Sequence, residues 1–559
     1  KHFSEQKKQI DESNISKANN MNGHHNINSY PGIFNRQWIN SSHTEKSKSI
    51  YTGVSTSNKN EGIHNTILDS LRVASYNILA DNLIEESLHV NLHSTPNNTL
   101  RINALYNTRI NKIIKEISWI DPHILCLQEI EDKQKMTSAL DELGYDFKLR
   151  QRPGKDEGCA ICWKKDTFEL VESYFVEYRE KRFVTSGVFN KENIAVFTVL
   201  KLKKETLNSS SNRDTESDLN LKENSKFVNG SNTNKNKEVY LIMANTHILY
   251  NERRGEIKLA QVYSLLKSME LIQKDFISKV KQSTGRKDEK KEDKCCVLSV
   301  ICGDFNSTSN SAIYNLITKG ELDVSDIDRY TLSGQKFMYM NPDYIDNIEK
   351  FSMTMRKKTK SQYSSSYYKP SLNNNHIDQN SQEIETWFNE IVSSSLAIKS
   401  IGHNKTETLS YRKFDNEIII KTNSTAIIKD SSHRRKLVNK TAYQSVYNSF
   451  FSNINSKVDI NEGIQGLNNE PDASFIGNKK IGGVDFIFTG VKEVMLSDEH
   501  RRLNEIKHTE GKPMRPYTVV KGVLSTPNYR EIIEKKFNAK LENPSDHLAL
   551  AAQIGIHQE

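Results

Sequence analysis

Three features of the sequence predict an α/β fold. Continuous apolar runs of strand length recur along the 559-residue chain. Several of them stop abruptly at an acid, an amide or an imidazole, and segments of 3.6-residue apolar period lie between them. Only 36% of residues are hydrophobic, so a sizeable part of the chain is expected to lie outside any packed core. The formal net charge of +8 permits nucleic-acid binding without requiring it. No stretch approaches the roughly 20 apolar residues of a membrane helix, and no internal repeat of fixed period is present. The six cysteines mostly sit in or beside apolar runs, as reduced thiols do, which suits cytosol, nucleus or mitochondrial matrix alike; the expected setting is cytoplasmic, with the nucleus as the alternative.

Residues 1–70, rich in Asn, Ser, Lys and His, read as a disordered leader. Residues 71–79 alternate as a strand, with Asn77 the residue that needs a reason: it caps a neighbouring turn or it is functional. Helical spacing of Ile110, Ile113, Ile114 and Ile117 marks 108–120, with Arg109, Lys112 and Lys115 away from that face; Asp121-Pro122 stops it. Residues 123–129 form a buried strand closed by Glu129, an acid that is either solvated at the rim or holds a cation. Strands follow at 158–164 and 193–200, the latter opening on Asn193. Cys159-x-x-Cys162 has no partner pair at ligand spacing, so it reads as strand rather than zinc site.

Residues 203–237 read as a loop insertion, and 239–247 as a strand ending in His247. Arg253, Arg254 and Lys258 open the next helix, whose apolar face carries Leu259, Val262, Leu266 and Met269. Cations there work against the helix dipole, so they are either solvated or hold a phosphate. A charged loop at 283–294 precedes the most apolar strand, which ends in Gly303, Asp304 and Asn306. Alternation puts Asp304 and Asn306 on one side with Phe305 turned into the core. Residues 343–480 read as a long low-complexity insertion, with Trp387 and Phe388 marking a docking helix through which a protein partner could bind. Strands return at 483–488, with Asp485, and at 547–552, preceded by Asp546 and opening on His547.

Collected, the strand-end polar residues are Asn77, Glu129, His247, Asp304, Asn306, Asp485, Asp546 and His547. Either they are unrelated turn residues, for which Asp, Asn and Gly are common punctuation, or a sheet assembles them into one site. As a site, the types suit metal-assisted attack on a phosphoester. Mg²⁺ neutralises phosphate oxygens, an Asp activates water, and His with Asn stabilises developing charge. Asp485 is placed to orient the ring of His547. Neither G-x-S-x-G nor a P-loop lysine motif is present.

Four ordered blocks carry a family resemblance: Ser75-Tyr76-Asn77-Ile78-Leu79, Leu125-Cys126-Leu127-Gln128-Glu129, Gly303-Asp304-Phe305-Asn306-Ser307 and Ser545-Asp546-His547-Leu548. They resemble the signature blocks of the endonuclease/exonuclease/phosphatase superfamily, within its deadenylase-like branch. Residues 156–162 and 244–261 are similar to blocks of the Angel proteins in that branch. The resemblance covers 71–342 and 481–556 as one domain and implies a four-layer sandwich, two mixed β-sheets flanked by helices. It further implies that Glu129 ligates Mg²⁺ (Mn²⁺ as the alternative), with Asn77 and Asp546 supporting the metal–water network. Asp304 then activates water, Asn306 and His247 contact phosphate, His547 paired to Asp485 stabilises the transition state, and Asn193 lies near the substrate phosphate. The implied partner is the 3′ end of RNA. The activities implied are 3′-to-5′ exoribonuclease or deadenylase work and hydrolysis of 2′,3′-cyclic phosphate ends. A small-molecule phosphatase and a catalytically silent RNA-binding scaffold are the competing classes.

Overall fold

A computed structural model of the chain describes residues 36–40, 65–83, 98–131, 134–179, 187–203, 238–283, 295–325, 327–340, 386–392, 398–400, 408–409, 436–439, 441–455, 469–477, 480–490, 516–527, 531–532 and 544–558. The loop insertion expected at 203–237 and the charged loop at 283–294 fall almost entirely outside these residues.

Two mixed sheets face each other. The first orders β1 (Trp38–Asn40), β19 (Pro516–Leu524), β20 (Leu550–Gln558), β2 (Asn65–Asn77), β3 (Ile124–Glu131), β5 (Glu157–Lys164) and β4 (Tyr145–Gln151). The second orders β13 (Thr408–Leu409), β12 (Ile398–Ser400), β6 (Phe168–Glu177), β7 (Ile194–Leu202), β8 (Glu238–His247), β9 (Cys295–Asp304), β18 (Asp485–Gly490) and β15 (Tyr443–Ser445). One parallel pair lies in each sheet, β2 with β3 and β8 with β9. Smaller ladders join β10 (Glu321–Asp323) to β14 (Lys436–Val438), and β17 (Lys480–Gly482) to both β11 (Tyr339–Met340) and β16 (Phe475–Ile476).

Alternation along the strands builds three apolar layers. Val73, Ile124, Cys126, Ile161 and Ala552 of the first sheet meet Val196, Leu241, Met243, Val300 and Cys302 of the second between the sheets. The opposite faces are covered by helices. Ala74, Leu125 and Leu127 pack under α1 (Asn98–Ile120) and α2 (Gln134–Glu142) through Ile113, Ile117, Met136 and Leu140. Ile242, Ala244 and Phe488 pack under α3 (Gly255–Ser283) and α4 (Ala312–Lys319) through Leu259, Leu266, Met269 and Leu316. This is the four-layer sandwich that the resemblance implies. Cys159 faces the inter-sheet core and Cys162 the helix side, so the two cannot share a metal.

Two boundary expectations are corrected. Within 1–70, β1 pairs with β19, β2 already begins at Asn65, and Arg36 is buried, bonding Glu116, the Ser525 carbonyl and the Ala549 carbonyl. Within 343–480, α5 (residues 386–392) buries Trp387 and Phe388 in the outer core of the second sheet, so they fill the fold instead of offering a docking face. Nearby, α6 (Val446–Asn455) sends Tyr447, Phe450 and Phe451 between the sheets. These pieces are too short for any periodicity to register. Arg109, expected on the outer face of its helix, is buried and ties the Ile78 and Pro544 carbonyls to Asp81.

Glu470, also within 343–480, makes a measurable pH effect. It is buried, accepts from Tyr314 Oη at 2.6 Å and leaves Oε2 without a partner. Burial raises its pKa from 4.5 to about 7, against the opposing pull of the Ser445 and Tyr314 hydroxyls. A carboxyl raised on folding favours the fold only while protonated. Its contribution is therefore intact below about pH 4.5 and is lost as pH climbs towards 7, by about 3 kcal/mol. Denaturant midpoints measured at pH 5 and pH 8 should differ by less in Glu470→Gln than in the parent protein. An equal drop in both would mean that Glu470 titrates normally.

Candidate active site

Register brings the second sheet's residues into one row. His247 is the partner of Asp304 across β8 and β9, and Asp304 the partner of Asp485 across β9 and β18. Gly303 makes the row possible: at φ 152° it lies against β8, and a Cβ there would meet the Thr246 carbonyl oxygen at 2.2 Å. From the first sheet come Asn77 at the end of β2, Glu129 at an irregularity of β3, and His547 ahead of β20. Glu129 (φ 57°) and Asn306 (φ 46°) both hold left-handed backbone that costs a non-glycine residue free energy, of the kind concentrated at functional sites.

The side chains meet closely. Asn77 Nδ2 lies 3.0 Å from Glu129 Oε1, 3.1 Å from Asp304 Oδ2 and 3.4 Å from His547 Nε2. His247 Nε2 is 3.5 Å and His547 Nε2 3.6 Å from Asp304 Oδ2, and His547 Nδ1 is 2.8 Å from Asp485 Oδ2. All six residues are buried. Ser474 Oγ accepts the Val484 and Asp485 amides, while Phe475 lies 5.0 Å from the His547 ring. The very end of the stretch expected to be low-complexity thus braces the Asp485–His547 pair.

Burial and crowding shift the acids. Asp304 is raised to about 7 by burial and by Asp485, against the pull of His547 and the Asn306 N–H. Burial raises Asp546 to about 6 against His547, and its Oδ1 has no partner. Burial alone would raise Glu129, but His247, the Ala80 N–H and Asn77 together leave it below the usual carboxylate range. Burial takes His247 down to about 4, against the attraction of Glu129. For His547 burial is outweighed by Asp485 and Asp304, which hold the imidazole protonated well above its usual range.

Four buried carboxylates against two imidazoles, with orphaned oxygens on Asp485 and Asp546, form a donor set that suits a hard divalent cation. The amide hydrogens of Asn77 stand between Glu129 and Asp304, where positive charge is wanted. Glu129, with Asn77 and Asp546 beside it, is the residue that would hold the ion next to Asp304. Asp304, Asp485 and His547 also offer ligand atoms within 4.8 Å of one another. The 2.8 Å Asp485 contact and the protonated ring make His547 a poor ligand, so we assign that triplet to orientation instead.

Some residues expected to touch phosphate are committed elsewhere. Asn193 Nδ2 donates to the His247 carbonyl at 3.0 Å and Oδ1 accepts from Gln261, so Asn193 positions His247. Asn306 Nδ2 donates to the Ile248 carbonyl, while its backbone N–H supports Asp304 Oδ1 at 2.9 Å. Lys258 is fully buried, donating to the Asn306 and Tyr250 carbonyls and to Gln335 Oε1. It is a brace for the Asn306 turn and corrects the phosphate-binding expectation. Arg254 pairs with Glu256 at 2.5 Å, and Arg253 is exposed. Sequence reasoning missed Asn245, whose Nδ2 reaches the Leu127 and Ala160 carbonyls at 2.8 Å and whose Oδ1 accepts from Gln128. An amide inside an apolar strand was its signal, and it bolts the sheets together directly behind the site.

A sequence profile described as Endonuclease/Exonuclease/phosphatase family matches residues 74–354, half of the chain. The chain belongs to this family. Among its relatives, Protein angel homolog 2 of Bos taurus is 30% identical over 268 residues, covering 47% of this chain and 40% of that protein. Carbon catabolite repressor protein 4 homolog 3 of Arabidopsis thaliana is 28% identical over 270 residues, covering 48% and 47%. The chain thus spans less than half the length of these two relatives. The crystal structure of ANGEL2, described as a 2′,3′-cyclic phosphatase, superposes with a TM-score of 0.49 at 20% identity, covering 89% of this chain and 99% of that one. In family terms, the row His247–Asp304–Asp485 and its facing residues Asn77, Glu129 and His547 are the candidate centre. Among the described residues no helix is long and apolar enough to cross a membrane.

Proposed function

We propose that this family member is a Mg²⁺-dependent hydrolase acting on phosphoesters at the 3′ end of RNA, releasing nucleotides by attack of water. The observation that carries the reading is the meeting of Asp304, Glu129, Asn77 and the Asp485–His547 pair within hydrogen-bonding reach of one point. Asp304, with a pKa near 7, is suited to take a proton from water at neutral pH. His547, fixed through Nδ1 by Asp485, presents Nε2–H to oxygen charge that develops on the phosphate or leaving group. Asn77 donates to both carboxylates and keeps them apart. A bound divalent cation would supply charge neutralisation and a more acidic water. Positive net charge fits a polyanionic substrate, and six reduced cysteines among the described residues fit a cytoplasmic or nuclear setting.

A second reading keeps the same residues and changes the bond: opening of a 2′,3′-cyclic phosphate end, the activity by which ANGEL2 is described. The likeness of residues 156–162 and 244–261 to the Angel blocks favours it. Product analysis on end-defined RNA separates the two. Mononucleotides released from poly(A) support exonuclease action, and an unshortened chain with a processed cyclic end supports the phosphatase. Both activities should vanish with EDTA and return with Mg²⁺ or Mn²⁺. Turnover of neither RNA, with metal present, overturns the reading.

A further inference from the structure

The site described above holds four acids, and among the described residues the Lys258 and Arg254 cations beside it are committed to protein partners. A polyanion entering it needs positive charge at the rim, and the β4–β5 hairpin supplies one. Along β4, Phe147 and Leu149 pack beneath the outer helices, which turns Lys148 and Arg150 to the opposite face. There Arg150 pairs with Glu177 of the second sheet at 2.8 Å and lies 4.1 Å from the Phe175 ring. Arg152 comes next on that side. Its backbone N–H bonds the Glu157 carbonyl at 3.0 Å, and its Nη1 lies 2.7 Å from Glu157 Oε1.

Register then fixes where Arg152 stands. Glu157 is the partner of Glu131, and Gly158 of Ile130, so the hairpin ends beside the turn that delivers Glu129. Glu157 is almost wholly buried, and its Oε2, like the Arg152 Nε, is enclosed without a partner, whereas the Arg152 side chain as a whole keeps 17% of its surface exposed. A guanidinium carries five donors in a planar fork, and one carboxylate oxygen uses only part of it. Glu157 holds the fork in place and leaves donors over.

We propose that Arg152 binds a non-reacting phosphodiester of the RNA strand, setting the register of the 3′ end over Asp304. The inference rests on the RNA 3′-end function proposed above. Two consequences distinguish it from a purely structural ion pair. The arginine's contribution should appear in KM more than in kcat, and it should require a substrate with a second phosphate.

The test is steady-state kinetics of Arg152→Met, Arg152→Lys and the double variant R152M/E157Q, which leaves no buried carboxylate unpaired. Substrates are a short RNA carrying the reactive end and a minimal substrate with no second phosphate, a dinucleoside monophosphate for nucleotide release or a nucleoside 2′,3′-cyclic phosphate for end processing. For the RNA, KM should rise about 10- to 100-fold in Arg152→Met and in the double variant, with partial rescue by lysine. The slope of log KM against log salt should become shallower by about 0.7. The KM change on the minimal substrate should be at least tenfold smaller. Wild-type turnover of RNA combined with an unchanged KM and salt slope in the double variant overturns this inference alone. So does an equal loss on both substrates. Absence of wild-type turnover on every RNA overturns the functional reading, and this inference with it.

Discussion

Asp304→Asn should abolish turnover while making the protein harder to unfold. The carboxylate contacts Asn77, His247 and His547 together, and its replacement by an amide removes the base. General-base loss alone is worth up to about 10⁴-fold, so kcat should fall at least about 10³-fold. KM should change little, because Glu129 and Asp546 stay in place to hold the cation. The amide oxygen can still accept the Asn306 N–H, so the turn keeps its shape. Stability moves the other way. Asp304 is fully buried, and burial together with Asp485 raises its pKa to about 7. A carboxyl raised on folding stabilises the fold below its unfolded pKa and loses that contribution as pH rises through 7. At pH 8 in EDTA the wild-type fold therefore carries the full penalty of an ionised, crowded carboxylate, and the amide does not. Melting at pH 8 in EDTA should give a higher midpoint for Asp304→Asn. A variant that retains turnover, or that melts lower with activity lost, would show that Asp304 is a structural residue and not the base.

What the sequence could and could not reveal follows from how each residue is held. Glu129, His247 and Asp304 were legible because an apolar strand buried on both faces cannot hide an acid or imidazole without cause. Their convergence was legible only through the family resemblance. It depends on β2 with β3, and β8 with β9, running parallel and in register, which alternation does not encode. Lys258 was misread because a lysine in a first helical turn looks free for solvent or a phosphate. Its acceptor Gln335 lies 77 residues away, and nothing local announces it. The same holds for Arg109, whose partners at Ile78 and Pro544 belong to distant turns. Segment 343–480 failed for a different reason. Its strands of two or three residues are too short for the alternation to repeat, so composition outweighed pattern, and the burial of Trp387, Tyr447 and Phe450 became visible only in three dimensions.

Asp485→Asn should reduce kcat by about 10²-fold and move the alkaline limb of the pH–rate profile to lower pH. The imidazole of His547 is buried, which by itself favours the neutral ring. Asp485, at 2.8 Å from Nδ1, and Asp304, at 3.6 Å from Nε2, reverse that preference. A histidine raised on folding adds stability below its unfolded pKa near 6.5 and loses it as pH rises through the folded value. Activity that depends on the protonated ring follows the same limb. With the Asp485 charge gone, burial regains weight, the folded pKa falls, and the protonated fraction at neutral pH shrinks. The amide also admits the wrong tautomer, because its oxygen and nitrogen can both face Nδ1. His547→Gln should lose at least as much activity and show no alkaline limb from this residue at all. Combining the two changes should therefore cost little more than His547→Gln alone, since residues that act as one unit are not additive. Additive losses would mean that Asp485 acts on the reaction independently of the ring, most directly as a ligand of the cation through its unpartnered Oδ1.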